Sequence, residues 1–275
     1  MNVTLHGLAA RHPAASADSA PALKPAQLAL APGEQLAVVG PSGAGKTTLL
    51  HTLACALKPA AGRLELGGID PWSLPVGRLQ KLRGQLFLAP QAPPLPPRQR
   101  VVTAVLAARL PRQSLFASLR SLLYPTGVDQ AQSALAQFDL ADKLWERVDR
   151  LSGGERQRVG LARALVSSAT LWLVDEPLSS LDPSRAALAI ETLTRAARER
   201  GVTLVCTLHQ VDVATRFPRV LGMRDGEIHF DLPAAEVSKA RLAALYAQRE
   251  HELVEPPPAV PEPSSGPVTV VTYCR

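Results

Sequence analysis

Short apolar runs alternate with amphipathic stretches along most of this chain. Three runs are almost wholly apolar, at residues 35–39, 170–174 and 202–208, and each has the length of a buried strand. Helical patterns at 155–166 and 184–200 lead into the second and third runs. Strands that alternate with helices in this way predict an α/β protein with a mostly parallel sheet.

The apolar positions outside this core predict three further regions. Residues 3–5 and 28–30, followed by a turn at Pro32-Gly33, indicate a small antiparallel β region, and strands are predicted at 62–69 and 85–89. From 101 to 144 the period becomes helical, which predicts a helical subdomain at about 98–150 inserted into the core. The apolar positions of that pattern are Val101, Val105, Leu106, Leu115, Leu119, Leu122, Leu123, Ala134, Leu135 and Phe138.

We therefore predict one folded domain over residues 1–250. Residues 251–275 are rich in proline and have few positions that could bury apolar surface, so we expect a disordered tail. Cys55 and Cys206 lie within apolar patterns and are expected to be buried, reduced thiols, and Cys274 lies in the tail.

Composition and charge give little information about what the protein binds. The content of 46% hydrophobic and 20% charged residues is ordinary for a globular protein, and no apolar run approaches the length of a membrane span. The N-terminus lacks the apolar segment of a secretory signal. The net charge of +6 is compatible with nucleic acid or an anionic membrane surface, but the basic residues are dispersed and form no binding arm.

The segment 40–47 is Gly-Pro-Ser-Gly-Ala-Gly-Lys-Thr and lies between the strand at 35–39 and a helix that begins near Lys46. Such a loop cradles phosphates, because glycine tolerates positive φ and leaves the backbone N–H groups close to the anion. Lys46 is expected to reach the β- and γ-phosphates, and the Thr47 hydroxyl to bind magnesium. The predicted nucleotide-binding residues of this segment are Gly40, Pro41, Ser42, Gly43, Ala44, Gly45, Lys46, Thr47 and Thr48.

Two carboxylates, Asp175 and Glu176, follow the strand at 170–174. The carboxyl ends of parallel strands meet at the ligand crevice of the sheet. Beside a phosphate loop, Asp175 is expected to hold magnesium through water, and Glu176 to act as the general base that polarises the attacking water. Without that loop, the same pair would be an ordinary acidic turn after a strand.

Residues 151–155, Leu-Ser-Gly-Gly-Glu, open the helix predicted at 155–166, and Ser152 is expected to cap it. Within that helix lie Gln157-Arg158 and the run Ala-Arg-Ala-Leu at 162–165. With the phosphate loop before it and the Asp-Glu strand after it, this order of motifs resembles the ATP-binding subunit of ABC transporters, over roughly residues 3 to 248. At position 155 that family usually has glutamine rather than glutamate.

The resemblance implies a P-loop NTPase (RecA-like) fold, in which a parallel-sheet core has an N-terminal antiparallel β region and an inserted α-helical subdomain. It also implies an ATPase that uses ATP and Mg²⁺. Two subunits stack head to tail, and each ATP lies between the phosphate loop of one subunit and Ser152, Gly153 and Gly154 of the other. A serine hydroxyl at a helix N-terminus is suited to contact the γ-phosphate.

Four more residues take roles from the resemblance. Gln91 corresponds to the Q-loop glutamine, which touches magnesium and couples to the membrane subunits. Asp182 corresponds to the D-loop aspartate at the dimer interface, and His209 to the switch histidine that contacts the γ-phosphate. His12 is the nearest candidate for the side chain that stacks on adenine. The predicted magnesium-binding residues are therefore Thr47, Gln91 and Asp175. The predicted catalytic residues are Glu176, His209, Gln91 and Lys46.

Two segments, 105–119 and 208–231, resemble the phosphonate-import ATPases within this family, although Ala104 and Ala108 replace the usual Asn and Gly. This likeness implies a peripheral protein on the cytoplasmic face of the inner membrane. Its partners would be a second copy, a separate integral-membrane permease and, indirectly, a solute-binding protein.

Two other functions stay open at this stage. One is the import of another solute, such as phosphite, phosphate or an unrelated compound. The other is a soluble ABC-type ATPase that acts on nucleic acid, which the basic charge favours. The chain has one copy of each motif and no heptad run, so no nucleic-acid partner is expected. A stand-alone kinase would have no use for residues 151–155.

Overall fold

The computed structural model describes residues 1–12, 19–113, 118 and 126–247. The strands in this part of the chain are β1 (Val3–Ala10), β2 (Leu23–Leu30), β3 (Gln35–Val39), β4 (Ala61–Leu66), β5 (Leu86–Ala89), β6 (Leu171–Asp175), β7 (Thr203–Leu208), β8 (Arg219–Arg224) and β9 (Glu227–Pro233). They form a six-stranded sheet in the order β5-β6-β7-β3-β8-β9 and a three-stranded sheet in the order β2-β1-β4.

The larger sheet is parallel except at β9, which pairs antiparallel with β8. Every residue of β3, β6 and β7 is buried, as their continuous apolar sequence predicts. Because these strands run in the same direction, their carboxyl ends lie at one edge of the sheet. The segments that begin with Gly40, Glu176 and His209 leave the sheet at this edge.

Apolar side chains cover both faces of the parallel sheet. In β3, Leu36 and Val38 belong to one buried cluster and Ala37 and Val39 to the other, which is the alternation that a strand imposes. Cys55 and Cys206 are buried free thiols, as predicted.

The predicted N-terminal antiparallel region is confirmed, since β1 pairs with β2 in the register Val3↔Leu30. The strand predicted at 62–69 is β4, which pairs with the other edge of β1. Strands β8 and β9 were not predicted. The half-exposed β9 alternates between polar and apolar residues from Glu227 to Leu232, so its sequence does have the period of a strand.

The α-helices of the described residues are α1 (Lys46–Leu53), α2 (Val76–Arg83), α3 (Val101–Leu106), α4 (Val128–Ala136), α5 (Gly153–Val166), α6 (Pro183–Glu199), α7 (Val211–Ala214) and α8 (Lys239–Leu245). Helices α3 and α4 pack against each other and against α5, through buried side chains that include Val101, Val105 and Leu135. This packing agrees with a helical region between β5 and β6, and its limits at 98 and 150 stay a prediction. Leu115, Leu119, Leu122, Leu123, Cys274 and the predicted tail lie outside the described residues.

Candidate functional site

The phosphate-loop segment connects β3 to α1, so the predicted order of strand, loop and helix is confirmed. Gly40, Gly43 and Gly45 have φ angles of 153°, 78° and 96°, in the region that favours glycine. A side chain at Gly40 would place its Cβ 2.0 Å from the carbonyl oxygen of Met223 in β8. The loop is therefore shaped by its own glycines and by the strand beside it.

Lys46 is the first residue of α1, and its side chain is almost completely buried. Its ammonium group donates to the carbonyl oxygens of Gly40 (2.7 Å) and Pro41 (3.2 Å). The ammonium therefore lies against the start of the loop, beside the N–H groups at the N-terminus of α1. Thr47 and Thr48 follow in the first turn of the helix. This combination of a cation and helix N–H groups suits a polyphosphate.

Two contacts that the sequence analysis missed hold the loop from outside. The hydroxyl of Tyr246, which is fully buried just after α8, accepts a hydrogen bond from the Gly40 N–H at 3.2 Å. The N–H of Gly226, in the turn between β8 and β9, donates to the Ala44 carbonyl at 3.2 Å. Both residues come from distant segments, and no local pattern links either of them to the loop.

Glu176 brings together three of the residues predicted to be catalytic. Gln91 Nε2 donates to Glu176 Oε2 at 2.9 Å, and His209 Nε2 donates to Oε1 at 2.5 Å. Lys46 Nζ lies 3.8 Å from the same Oε1 atom. An ionised carboxylate only accepts hydrogen bonds, so the Nε2 atom of His209 holds the proton. Three side chains from separate segments thus meet around the Glu176 carboxylate.

The backbone and the charge of Glu176 are both unusual. Its φ of 45° is in the left-handed region, which is uncommon for a residue with a Cβ and is found most often at functional sites. Burial, the strongest influence on this carboxyl, raises its pKa. The hydrogen bond and charge of His209, followed by the charge of Lys46, outweigh that effect and hold the pKa below its ordinary value of 4.5. Glu176 is therefore an anion at neutral pH.

Asp175, the last residue of β6, is buried beside Glu176. Its Oδ1 atom accepts a hydrogen bond from the hydroxyl of Thr207 at 2.6 Å, and the Glu176 N–H donates to the same hydroxyl at 2.9 Å. Thr207 was not among the predicted site residues. Its position two residues before His209, on a neighbouring parallel strand, is a signal that could have identified it.

Ser152 caps α5 as predicted. Its Oγ atom accepts from the Glu155 N–H at 3.2 Å, and its own N–H donates to Glu155 Oε2 at 2.7 Å, which completes a capping box. The glutamate at position 155 thus takes part in capping the helix. A Cβ on Gly154 would lie 2.7 Å from the Ser180 carbonyl oxygen, so the segment before α6 packs directly against the start of α5.

Asp182 is the N-cap of α6, and its Oδ1 atom accepts from the Arg185 N–H at 3.0 Å. The contacts of Asp182 and Ser152 lie within their own helix caps. The structure therefore does not bring either residue into the cluster around Glu176. His12 is exposed, two residues after the end of β1, and its role at adenine stays a prediction.

The loop that follows Gln91 packs on α5. A Cβ on Gly160 would lie 2.8 Å from Cγ of Pro93, so only glycine at this point lets the proline ring approach the helix. The cleft between the two segments also contains Arg163, whose guanidinium has no polar partner among the described residues. Burial lowers the pKa of this guanidinium.

A glycine-rich loop at a helix N-terminus, a buried lysine and two carboxylates at a strand end define a P-loop nucleotide-binding protein. The family model described as ABC transporter matches residues 23–179. The chain belongs to the ABC transporter family, and the resemblance found in its motifs is confirmed.

Similar proteins extend over the whole chain. It is 63% identical to the phosphonates import ATP-binding protein PhnC of Polaromonas sp. (strain JS666), over the full length of both chains. It is 50% identical to phosphonates import ATP-binding protein PhnC 2 of Pseudomonas aeruginosa (strain UCBPP-PA14), over 94% of this chain and 96% of the relative.

Solved structures agree with the predicted fold class. A dimeric ATP-binding cassette bound to ADP and Pi, in a post-hydrolysis state, matches with a TM-score of 0.73 and 27% identity. The match covers 84% of this chain and 98% of that cassette. The predicted P-loop NTPase fold is therefore confirmed. None of the helices in the described ranges has the length and apolar character needed to cross a bilayer.

Proposed function

We propose that this chain is the ATP-hydrolysing subunit of an ABC importer that takes up phosphonates. The observation that carries the proposal is the arrangement of Gln91, His209 and Lys46 around the Glu176 carboxylate, next to a phosphate-binding loop. Family membership and the names of the relatives support it.

ATP binding is assigned to the loop and to the N-terminus of α1. The loop and the first turn of α1 offer backbone N–H groups to the phosphates, apart from Pro41, which has none, and Gly40, whose N–H donates to Tyr246. The Lys46 ammonium pairs with the β- and γ-phosphate oxygens. Adenine would stack on His12. Lys46 lies close enough to Glu176 that a single γ-phosphate could contact both the loop and the site of water attack.

The residues proposed for Mg²⁺ fit the preferences of that ion. Thr47, Gln91 and Asp175 offer a hydroxyl, an amide and a carboxylate, and Mg²⁺ typically takes one or two carboxylates together with waters and substrate phosphates. Among the described residues, no group of three or more His, Cys, Asp or Glu side chains is arranged to hold a metal ion by itself. Such a donor set suits an ion held partly by the nucleotide, which when bound would neutralise charge on the phosphates.

Hydrolysis is assigned to Glu176 and His209. The Glu176 carboxylate accepts a hydrogen bond from a water and orients it for in-line attack on the γ-phosphorus. A bond forms between the water oxygen and phosphorus while the bond to the β–γ bridging oxygen breaks. ADP leaves with the electron pair of that bond, and the proton of the water passes to Glu176. The Nε2 proton of His209 donates to the anionic oxygens of the γ-phosphate, and Gln91 holds Glu176 in place between cycles.

Two copies of the chain are needed for a complete site. Ser152, Gly153 and Gly154 lie at the exposed N-terminus of α5, where N–H groups and a hydroxyl suit the γ-phosphate of ATP bound to a second copy. Asp182, at the start of α6, lies beside that dimer interface. The dimeric state of the similar cassette supports this arrangement.

The remaining partners follow from the importer assignment. The membrane-crossing part would be a separate permease, which receives its solute from a solute-binding protein. The chain would act at the cytoplasmic face of the inner membrane as a peripheral subunit. The names of the relatives are the support for phosphonates, because the solute does not touch this chain. No role on nucleic acid is proposed.

Uptake by the assembled transporter tests the proposal. The chain would be reconstituted with its permease and solute-binding protein, and ATP-dependent uptake of a labelled alkylphosphonate measured against competing phosphite and phosphate. We expect unlabelled phosphonates to reduce this uptake more than phosphite or phosphate does. E176Q should abolish both uptake and hydrolysis. The control is E199Q, which changes an exposed glutamate at the end of α6. Uptake that only phosphate or phosphite competes would reject phosphonate as the solute.

A further inference from the structure

We infer that Thr207 is a positioning residue of the ATPase site, which orients Asp175 and Glu176 together. Its hydroxyl contacts both residues: it donates to Asp175 Oδ1 at 2.6 Å and accepts from the Glu176 N–H at 2.9 Å. The inference rests on the roles proposed above for the two carboxylates.

The sheet explains why Thr207 lies at this point. Strands β6 and β7 are parallel neighbours, and Asp175 pairs with Thr207 in their register. Thr207 is fully buried and Asp175 nearly so, so their hydrogen bond is shielded from water. A hydrogen bond to a charged group is stronger when it is buried.

The hydroxyl also replaces a missing backbone partner. Glu176 is the first residue after β6, where the ladder of strand hydrogen bonds ends. A buried N–H at such a point needs another acceptor, and Thr207 Oγ1 supplies it. A hydroxyl has one proton and two lone pairs, so it can donate and accept at the same time, which valine of the same shape cannot do.

This contact bears on the direction in which Glu176 leaves the sheet. Its φ of 45° is costly for a residue with a side chain and persists only where the surroundings fix it. The left-handed turn directs the carboxylate towards Lys46 and His209 rather than along the strand. Thr207 holds the N–H at that turn, and so fixes the general base relative to the phosphate loop.

Thr207 also restricts how Asp175 can bind a metal. With Oδ1 occupied by the hydroxyl, Oδ2 has no hydrogen-bond donor among the described residues and is the oxygen that can face Mg²⁺ or its water. Without the hydroxyl, the carboxylate can rotate, and the oxygen that reaches the metal is no longer fixed.

The test uses the same strand for its control. T207V removes the hydroxyl at nearly constant volume, and T207S retains it. T203V removes another fully buried hydroxyl of β7, at the opposite end of the strand, where it accepts from the Gly33 N–H at 3.0 Å and donates to the Met1 carbonyl at 2.7 Å. T203V therefore matches the structural cost of T207V away from the site.

The steady-state rate of ATP hydrolysis is measured for each variant, with its dependence on ATP concentration. We expect kcat of T207V to fall about tenfold or more, the factor that corresponds to losing a hydrogen bond to a charged group. KM should change much less than kcat, because the phosphate loop is intact. T207S and T203V should keep kcat within about threefold of the unmodified chain.

A second measurement does not depend on turnover. The rise in melting temperature caused by ATP is measured in EDTA and in Mg²⁺. We expect T207V to keep the rise seen with ATP in EDTA and to lose part of the extra rise seen with Mg²⁺, whereas T203V keeps both. If T207V does not fold, T207A is measured in its place, because it lacks the hydroxyl without adding a methyl group. The same result is expected.

Two results would overturn the inference: kcat of T207V within twofold of the unmodified chain, or an equal loss of kcat in T203V. The E176Q variant separates this inference from the proposed function. If E176Q hydrolyses ATP at the unmodified rate, the assignment of the general base fails. If E176Q is slow while T207V is normal, only the role of Thr207 fails.

Discussion

Lys46 Nζ lies 3.8 Å from Glu176 Oε1, so the first residue of α1 and the residue that follows β6 share one charged contact. Both side chains are largely shielded from solvent, with exposed fractions of 4% and 13%. The same ammonium donates to the carbonyl oxygens at the start of the phosphate loop. Under the roles proposed above, Lys46 therefore links the nucleotide-binding loop to the general base.

Replacing Lys46 with alanine should weaken ATP binding. A lost charge-assisted hydrogen bond costs about 1.5–3 kcal/mol, which corresponds to a roughly 10- to 150-fold higher Kd. The measurement is equilibrium binding of ATP by titration calorimetry. K58A, which changes an exposed lysine shortly after α1, is the control and should bind normally. Unchanged affinity in K46A would refute the role of the loop.

Replacing Ser152 with arginine should leave ATP binding by the single chain unchanged and prevent ATP-dependent dimer formation. The large cation would occupy the place where a second copy's nucleotide is expected. The serine also caps α5, and losing that cap costs about 1 kcal/mol. S152A is the matched control, because it loses the same cap without adding bulk or charge. Both substitutions are made in the E176Q background, and molecular mass is measured in the presence of ATP. A stable S152R dimer would contradict the proposed interface.

Replacing Gly160 with alanine should displace the loop after Gln91. The new Cβ would lie 2.8 Å from a carbon of the rigid Pro93 ring, and overpacking of this kind typically costs about 1–3 kcal/mol. G77A is the matched control, because Gly77 lies in α2 with open space around it and should gain about 0.5–1 kcal/mol.

Urea unfolding and the rate of ATP hydrolysis test this pair. We expect G160A to be less stable and slower than the unmodified chain, since Gln91 would no longer hold Glu176. G77A should be at least as stable and equally active. Equal stability and activity of the two variants would show that the position of Pro93 does not depend on glycine at 160.

The Glu155 carboxylate should make stability depend on pH in the acid range. The hydrogen bond from the Ser152 N–H is the main cause that holds the pKa of Glu155 below its ordinary value of 4.5. A carboxyl with a depressed folded-state pKa contributes stability that is complete above about 4.5 and is lost as the pH falls through the lower folded value. E155Q can keep the cap but cannot titrate. The urea midpoint of unfolding is measured for both proteins from pH 7 to pH 3. As the pH falls, the midpoint of the unmodified chain should drop relative to that of E155Q, and a constant difference would contradict this prediction.

Much of the site could be predicted from the sequence because it is encoded locally. The strand, the glycine loop and α1 are consecutive, so their spacing alone indicates a phosphate-binding loop. The same holds for Ser152 with Glu155, whose cap contacts span a single helical turn. Asp175 and Glu176 follow an apolar strand directly, and this places them at the crevice of a parallel sheet.

Other parts could not be predicted in this way, because they depend on which distant segments become neighbours. Thr207 contacts Asp175 only through the register of β6 with β7, and Tyr246 contacts Gly40 only because the chain after α8 packs under the loop. The approach of Pro93 to Gly160 is of the same kind.

The sequence by itself determined the class of protein, the phosphate loop, the two carboxylates and the helix that Ser152 caps, since each of these is a pattern of neighbouring residues. Only the tertiary structure decided that Glu176 adopts a left-handed backbone and receives Gln91, His209 and Lys46 around one carboxylate. The physical reason is that hydrogen bonds between remote side chains are set by strand order and register, which the parallel packing of the whole sheet fixes.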